Sequence, residues 1–392
     1  MLSLSMLHFE GVCFGIIEAP APRSVLSRLE AHLDGLRIEG EGAVALAVER
    51  LAAAEDDDDV AAAALVIVEC GGRSHVQFVF DRLTEGNAKI GNAIRRGLRL
   101  APVGKIPGEL QELLSHSKPV TQAAALDVLT FHRSEAKFDL ERLAVSDSAI
   151  VRLCVAEAAG RMQPFQHASL LRSLIGDEDG MVRRSALRAA ARQGLRGLVD
   201  LCRSRATSKP ACVESIRFLG VVGTEDDRQL LRQLAGEAPT CLPAIKAMGA
   251  QGLPRLIPNL LDFLSQPALN DAAALALERI TGYSVPRGNP PAPPADATEE
   301  VLDFWAPPAV AIPESAIEWW RENRTQFVDG KRYQAGICVS DEPLGSHFDD
   351  LPDESRYDVY LRERAYHGTK VPDWELETWP WHQRNPRWAT QR

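Results

Sequence analysis

Five basic residues carry the most chemical content in this chain. Arg184, Arg188 and Arg192 are spaced i, i+4, i+8, which places their guanidinium groups on one face of a helix. Arg188, Arg217 and Lys246 recur at the same place in three successive copies of a sequence motif. Residues 181–210 hold eight bases against one acid. Guanidinium and ammonium groups in a row bind carboxylates or phosphates, so these five form the candidate partner-binding set. The chemistry they offer is non-covalent: an acidic protein segment laid along a basic stripe, or the chain's own acid-rich C-terminal part; the alternative is an ordinary solvated face.

Other chemistry finds little support. The nine histidines show no ligand spacing, the seven cysteines form no CxxC pair, and His347 near Asp349, Asp350, Asp353 and Glu354 does not follow a calcium-loop spacing. No metal and no cofactor is expected. Neither a G-x-S-x-G elbow nor a G-x-x-x-x-G-K-[ST] phosphate loop occurs, so no catalytic residue is assigned. The net charge of −10 argues against a general nucleic-acid binder. No stretch is apolar over a membrane-spanning length, and Val12–Ile17 is too short for a secretory signal, which makes the cytoplasm the expected compartment. Cys70, Cys154, Cys212 and Cys241 lie in apolar helical stretches and are expected to be buried.

The elements that position the basic set come from the repeat. Val151-Arg-Leu-Cys-Val-Ala-Glu-Ala-Ala-Gly160 and Val182-Arg-Arg-Ser-Ala-Leu-Arg-Ala-Ala-Ala191 share a V-R-x-x-A pattern 31 residues apart. Equivalent starts fall near Asp59, Lys89, Val120, Val151, Val182, Ala211, Thr240 and Asp271. The sixth residue of each unit is apolar and the fifth is mostly small, so stacked helices can approach closely and share one core. Shorter helices are expected between them. Ser146-Asp147-Ser148, Gly176–Asp179 and the Asp56–Asp59 run sit where helix N-termini favour acids. The expected fold class is all-α: a helical-repeat solenoid of about eight helix pairs over 46–284. An N-terminal helical leader (1–45) precedes it. A Pro-rich linker (285–312) and an irregular, aromatic and acidic C-terminal module (313–392) follow.

That C-terminal part contrasts with the rest. All seven tryptophans and five tyrosines lie at or after position 283, and residues 293–360 carry 15 acids against 5 bases. A short strand pair is expected at Tyr333–Val339, folding back over the last repeat. Trp319 and Trp320 are expected inward and Trp388 exposed.

The V-R-x-x-A motif after an acidic turn resembles HEAT and HEAT-like repeats. Arg28–Arg37 (R-L-E-A-H-L-D-G-L-R) and Trp319–Gly336 (W-W followed by F-V-D-G-K-R-Y-Q-A-G) resemble the leader and tail of an uncharacterised bacterial family of HEAT-like proteins, often encoded in type VI secretion gene clusters. The resemblance implies a cytoplasmic adaptor in a secretion-associated cluster. The expected function is therefore a non-catalytic protein-interaction scaffold with a protein partner, such as a secretion-system component or an effector. Nucleic acid is an unfavoured partner, and membrane insertion is not expected. The alternative is a HEAT-like enzyme such as a DNA glycosylase or a bilin lyase-like protein.

Overall fold

The computed structural model describes residues 23–53, 56–101, 108–134, 138–162, 166–289 and 309–376. The expectations for the proline-rich core of the linker and for Trp388 lie outside the described residues. The fold is an all-α helical-repeat solenoid, and the chain divides into two compact units. One comprises residues 1–196 and 364–392, the other residues 197–363.

In the first unit the helices run α1 (Arg23–Glu39), α2 (Glu41–Ala53), α3 (Asp57–Cys70), α4 (Arg73–Glu85) and α5 (Ala88–Leu100). A 3-10 helix (Gly108–Ser115), α6 (Pro119–Phe131), α7 (Leu140–Ala144), α8 (Ala149–Arg161), α9 (Ala168–Leu174) and α10 (Gly180–Arg192) follow. The long second helices α3, α5, α6, α8 and α10 pack each against the next. They begin where the motif places them. Their buried fifth and sixth residues, from Ala63 and Ala64 to Ala186 and Leu187, form the shared core.

The acidic turns start these helices. Asp56 accepts the amides of Asp58 and Asp59 at the head of α3, and Asp179 accepts those of Met181 and Val182 at the head of α10. Each satisfies donors that a helix start leaves open. The motif arginine of α8 links its repeat to the next. Arg152 forms a two-pronged pair with Asp177 of the following turn, at 2.7 and 2.9 Å, and donates to Ser146 O. One unit's V-R pair thereby fixes the next unit's turn. In the leader, Leu33 and Leu36 are buried, and Arg37 reaches Glu69 on α3 at 2.9 Å.

The second unit continues with α11 (Leu198–Ala206), α12 (Val213–Val222), α13 (Asp227–Ala235), α14 (Cys241–Gln251), α15 (Ile257–Leu264) and α16 (Asn270–Thr281). Then come α17 (Pro313–Asn323), the hairpin β1 (Tyr333–Gln334) and β2 (Ile337–Cys338), and α18 (Asp353–His367), in which the unit boundary falls. The last repeat departs from the sequence frame. Leu275, placed at the buried fifth position, is 49% exposed, whereas Ala273 and Ala274 are fully buried. The unit begins at Leu269 rather than Asp271, because that register sets Ala276 against Gly249 of α14.

The strand pair forms where expected, with Tyr333 opposite Cys338. It covers the ends of α14 and α16: Tyr333 N donates to Gly252 O, Ala335 N to Arg279 O and Gly336 N to Ile280 O. Helix C-terminal carbonyls that the last turn leaves open are satisfied in this way. Gly252 and Gly282 end these helices at φ +73° and +71°, and a Cβ on either would strike the hairpin backbone. Residues 309–312 are tied to the repeat as well. Ala311 bridges Arg287, and the Asn270 side chain both donates to and accepts from its backbone. Trp319 is half-buried and stacks on Tyr283, 4.5 Å between ring centres.

The cysteines divide. Cys154 and Cys212 are buried as expected, but Cys70 and Cys241, at a helix end and a helix start, are only partly covered.

Candidate functional site

The densest chemistry lies in the first unit, on the ends of the second helices. The eleventh residue of a repeat is Arg99 on α5, Arg161 on α8 and Arg192 on α10. Arg95 adds a fourth guanidinium one turn before Arg99. Between them, α6 contributes Asp127 and Phe131. Asp127 is fully buried, with Arg95 Nη1 at 3.4 Å, Arg99 Nε at 3.7 Å and Arg161 Nη1 at 3.4 Å. The guanidinium groups of Arg99 and Arg161 lie over the Phe131 ring, 4.5 and 5.2 Å from its centre. An aromatic face there attracts buried cations.

The chain's own C-terminal segment lies on this row. After the last turn of α18, Gly368 approaches Gly194 at the end of α10, and Arg364 Nε donates to Arg192 O at 2.7 Å. Residues 371–376 follow without helix or strand. Asp373 accepts Arg192 Nε at 2.8 Å and Arg133 Nη2 at 2.7 Å. Glu375 Oε2 accepts Arg192 Nη1 at 3.0 Å and Arg161 Nε at 3.1 Å. Arg192 Nη2 also donates to Trp374 O at 3.0 Å. Glu375 and Leu376 are 2% exposed, so the segment buries an acid and an aliphatic anchor side by side.

Electrostatics follow from this packing. Burial works against the Glu375 carboxylate, but Arg192, Arg161 and Arg133 hold its pKa well below the ordinary value. Burial likewise opposes ionisation of Asp127 and Asp373, and the guanidinium groups outweigh it at both. Both acids stay charged at neutral pH. Burial pushes the Cys154 thiol up to about 12 and His132 down to about 4. Cys154 is therefore a protonated thiol beside Arg95, not a thiolate nucleophile. Neutral His132 donates from Nε2 to Leu98 O at 2.8 Å. What the cluster does chemically is hold carboxylates.

The five residues singled out in the sequence are not equivalent in the structure. Arg192 is buried and engaged with Asp373, Glu375 and Trp374 O, so it is not part of an open stripe. The helical spacing of Arg184, Arg188 and Arg192 holds on α10, where Arg184 and Arg188 are partly exposed. Arg217 on α12 and Lys246 on α14 are exposed, on neighbouring helices of the second unit. Sequence reasoning missed Arg95, Arg99, Asp127, Arg133 and Arg161, although a signal was present: arginine at the eleventh position of three of four successive repeats, and a single charged residue, Asp127, in α6.

Comparison with known proteins agrees with the architecture. Residues 106–191 match HEAT repeats, a span that includes Asp127 and Arg161 and ends one residue before Arg192. HEAT repeats generally mediate protein interactions. No curated protein matches the chain. Among the described residues, no helix is long and apolar enough to cross a membrane.

Proposed function

We propose that this chain is a non-catalytic protein-interaction scaffold, an adaptor that acts in the cytoplasm as an accessory to a type VI secretion system. The observation that carries the interaction reading is the repetition of exposed cations on adjacent helices. Arg217 and Lys246 occupy the same position of successive repeats in the second unit, both open to solvent. Such a pair suits an acidic partner segment running across the helices, because charge complementarity steers encounter and fixes register. Arg184 and Arg188 offer the same chemistry on α10. The secretion context rests on the resemblance of the leader and tail motifs. In the fold the leader is tied to α3 through Arg37.

The test is recovery of partners. The tagged protein is purified from its native host after mild crosslinking, and co-purifying proteins are identified by mass spectrometry. Sheath, baseplate or effector proteins should appear, and Arg217→Glu with Lys246→Glu should deplete them. Recovery of the same proteins with the double variant removes the exposed cations from the mechanism. Recovery of proteins unrelated to secretion removes the context and leaves the scaffold.

A further inference from the structure

We infer that the buried arginine row is a peptide receptor, at present occupied by the chain's own residues 371–376. A partner carrying a short acid–aromatic–acid segment between aliphatic anchors binds by displacing it. This rests on the interaction reading above but uses a different surface.

Four observations support it. First, residues 371–376 are bound in the manner of a short linear peptide. They have no regular structure, and Asp373, the Trp374 carbonyl and Glu375 are gripped in succession by Arg133, Arg192 and Arg161. Arginine clusters that fork onto carboxylates are a recurring mode of acidic-motif recognition. Second, the anchors bracket the acids: Val371 and Leu376 are 7% and 2% exposed. The ligand class is thereby fixed as aliphatic–x–Asp–aromatic–Glu–aliphatic.

Third, the receptor keeps its deepest charges paired when the segment leaves. Asp127 still faces Arg95, Arg99 and Arg161, so Arg161 retains a carboxylate. Arg133 and Arg192 lie under the segment itself, and its departure opens them to water. Fourth, a route for exchange exists. The Asp373 side chain is 33% exposed, its partner Arg133 is 19% exposed, and the preceding Thr369, Lys370 and Pro372 are at the surface. An incoming carboxylate can replace Asp373 first and Glu375 second.

The tether sets the expected size of the effect. A short connection gives its own segment an effective concentration in the millimolar range, against which a free peptide competes poorly. Wild-type protein should therefore bind such a peptide weakly. The probe is a fluorescein-labelled peptide with the sequence Lys370–Leu376, followed by fluorescence polarisation on the full chain. Asp373→Ala with Glu375→Ala should raise its affinity at least tenfold. A probe peptide with Asn and Gln in place of its two acids should lose at least tenfold, as should addition of Arg192→Ala.

Should the double variant fail to fold, a specific protease site between Thr369 and Lys370 opens the tether in the otherwise native chain. The released fragment should then exchange with labelled peptide. Equal affinity of wild type and double variant, or a cut fragment that resists excess peptide, overturns the proposal. Either failure leaves the recovery of partners through Arg217 and Lys246 untouched, so the two readings fail separately.

Discussion

Asp127 is a carboxylate with no exposed surface and three guanidinium groups around it. Removing it takes a shared counter-charge from three buried guanidinium groups at once, although Arg161 keeps Glu375. Asp127→Ala should cost about 3–5 kcal/mol, read as a lowered midpoint in chemical denaturation. His132 provides a pH signature beside it. Burial, with Arg99 and Arg161 nearby, lowers its pKa from 6.5 to about 4, against the pull of Leu98 O and Asp127. Between these values the unfolded chain binds a proton that the folded protein does not. Stability is therefore full above pH 6.5 and declines as the pH falls towards 4. The whole difference is on the order of 3 kcal/mol. The depressed carboxylates Asp127, Asp373 and Glu375 act with the same sign but lower, as the pH falls below their ordinary values of 3.8 and 4.5. The slope between pH 5 and 6.5 should thus flatten in His132→Gln, whose amide can still donate to Leu98 O. An unchanged slope in denaturation curves across that range would remove His132 as its source.

At the level of elements, close helix approach is the device that repeats. Gly220 on α12 and Gly249 on α14 stand where the next helix crosses. A Cβ on Gly220 would lie 2.4 Å from Ala247 O, and one on Gly249 would lie 2.8 Å from Ala276 Cα. Alanine is the better helix former by up to about 1 kcal/mol, so propensity and packing oppose one another at these sites. Packing should win. Overfilling a tight contact costs about 1–3 kcal/mol, and here the obstacle is backbone that cannot rotate away. Gly220→Ala should lower the thermal midpoint, and a raised midpoint would mean that the helices separate easily. The sequence made this element layer readable because small and apolar residues recur with the period of the fold. The frame failed at the last repeat, where Leu275 looks like a core residue in sequence but is exposed. Alanines at 272, 273, 274 and 276 fit more than one register, and only contact with Gly249 selects one.

At the scale of the whole molecule, what the sequence could not disclose is long-range pairing. Arg188 and Arg192 lie one helical turn apart and read alike, yet Arg192 is buried because Asp373 and Glu375 arrive from 181 and 183 residues away. The acid-rich stretch 293–360 was legible, and pairing of the tail with the basic stripe was one open reading, but the acids that reach Arg192 come from 371–376, beyond that stretch. The particular arginines the tail meets were not legible. A repeat array divides its stability among neighbouring units, which makes the consequence local. Deleting residues 371–392 should expose Arg133 and Arg192 and loosen the ends of α6, α8 and α10, where the segment is held. Helices α12, α14 and α16 belong to the other compact unit, where the hairpin Tyr333–Cys338 covers the ends of α14 and α16. Amide hydrogen exchange should therefore speed up in the last turns of α6, α8 and α10 in the truncated protein. Protection in α12, α14 and α16 should stay at the wild-type level, since opening free energies follow local packing. Uniform loss of protection would mean that the two units unfold as one body. Unchanged protection in α8 and α10 would mean that the ion pairs to Asp373 and Glu375 add little beyond the cost of burying them.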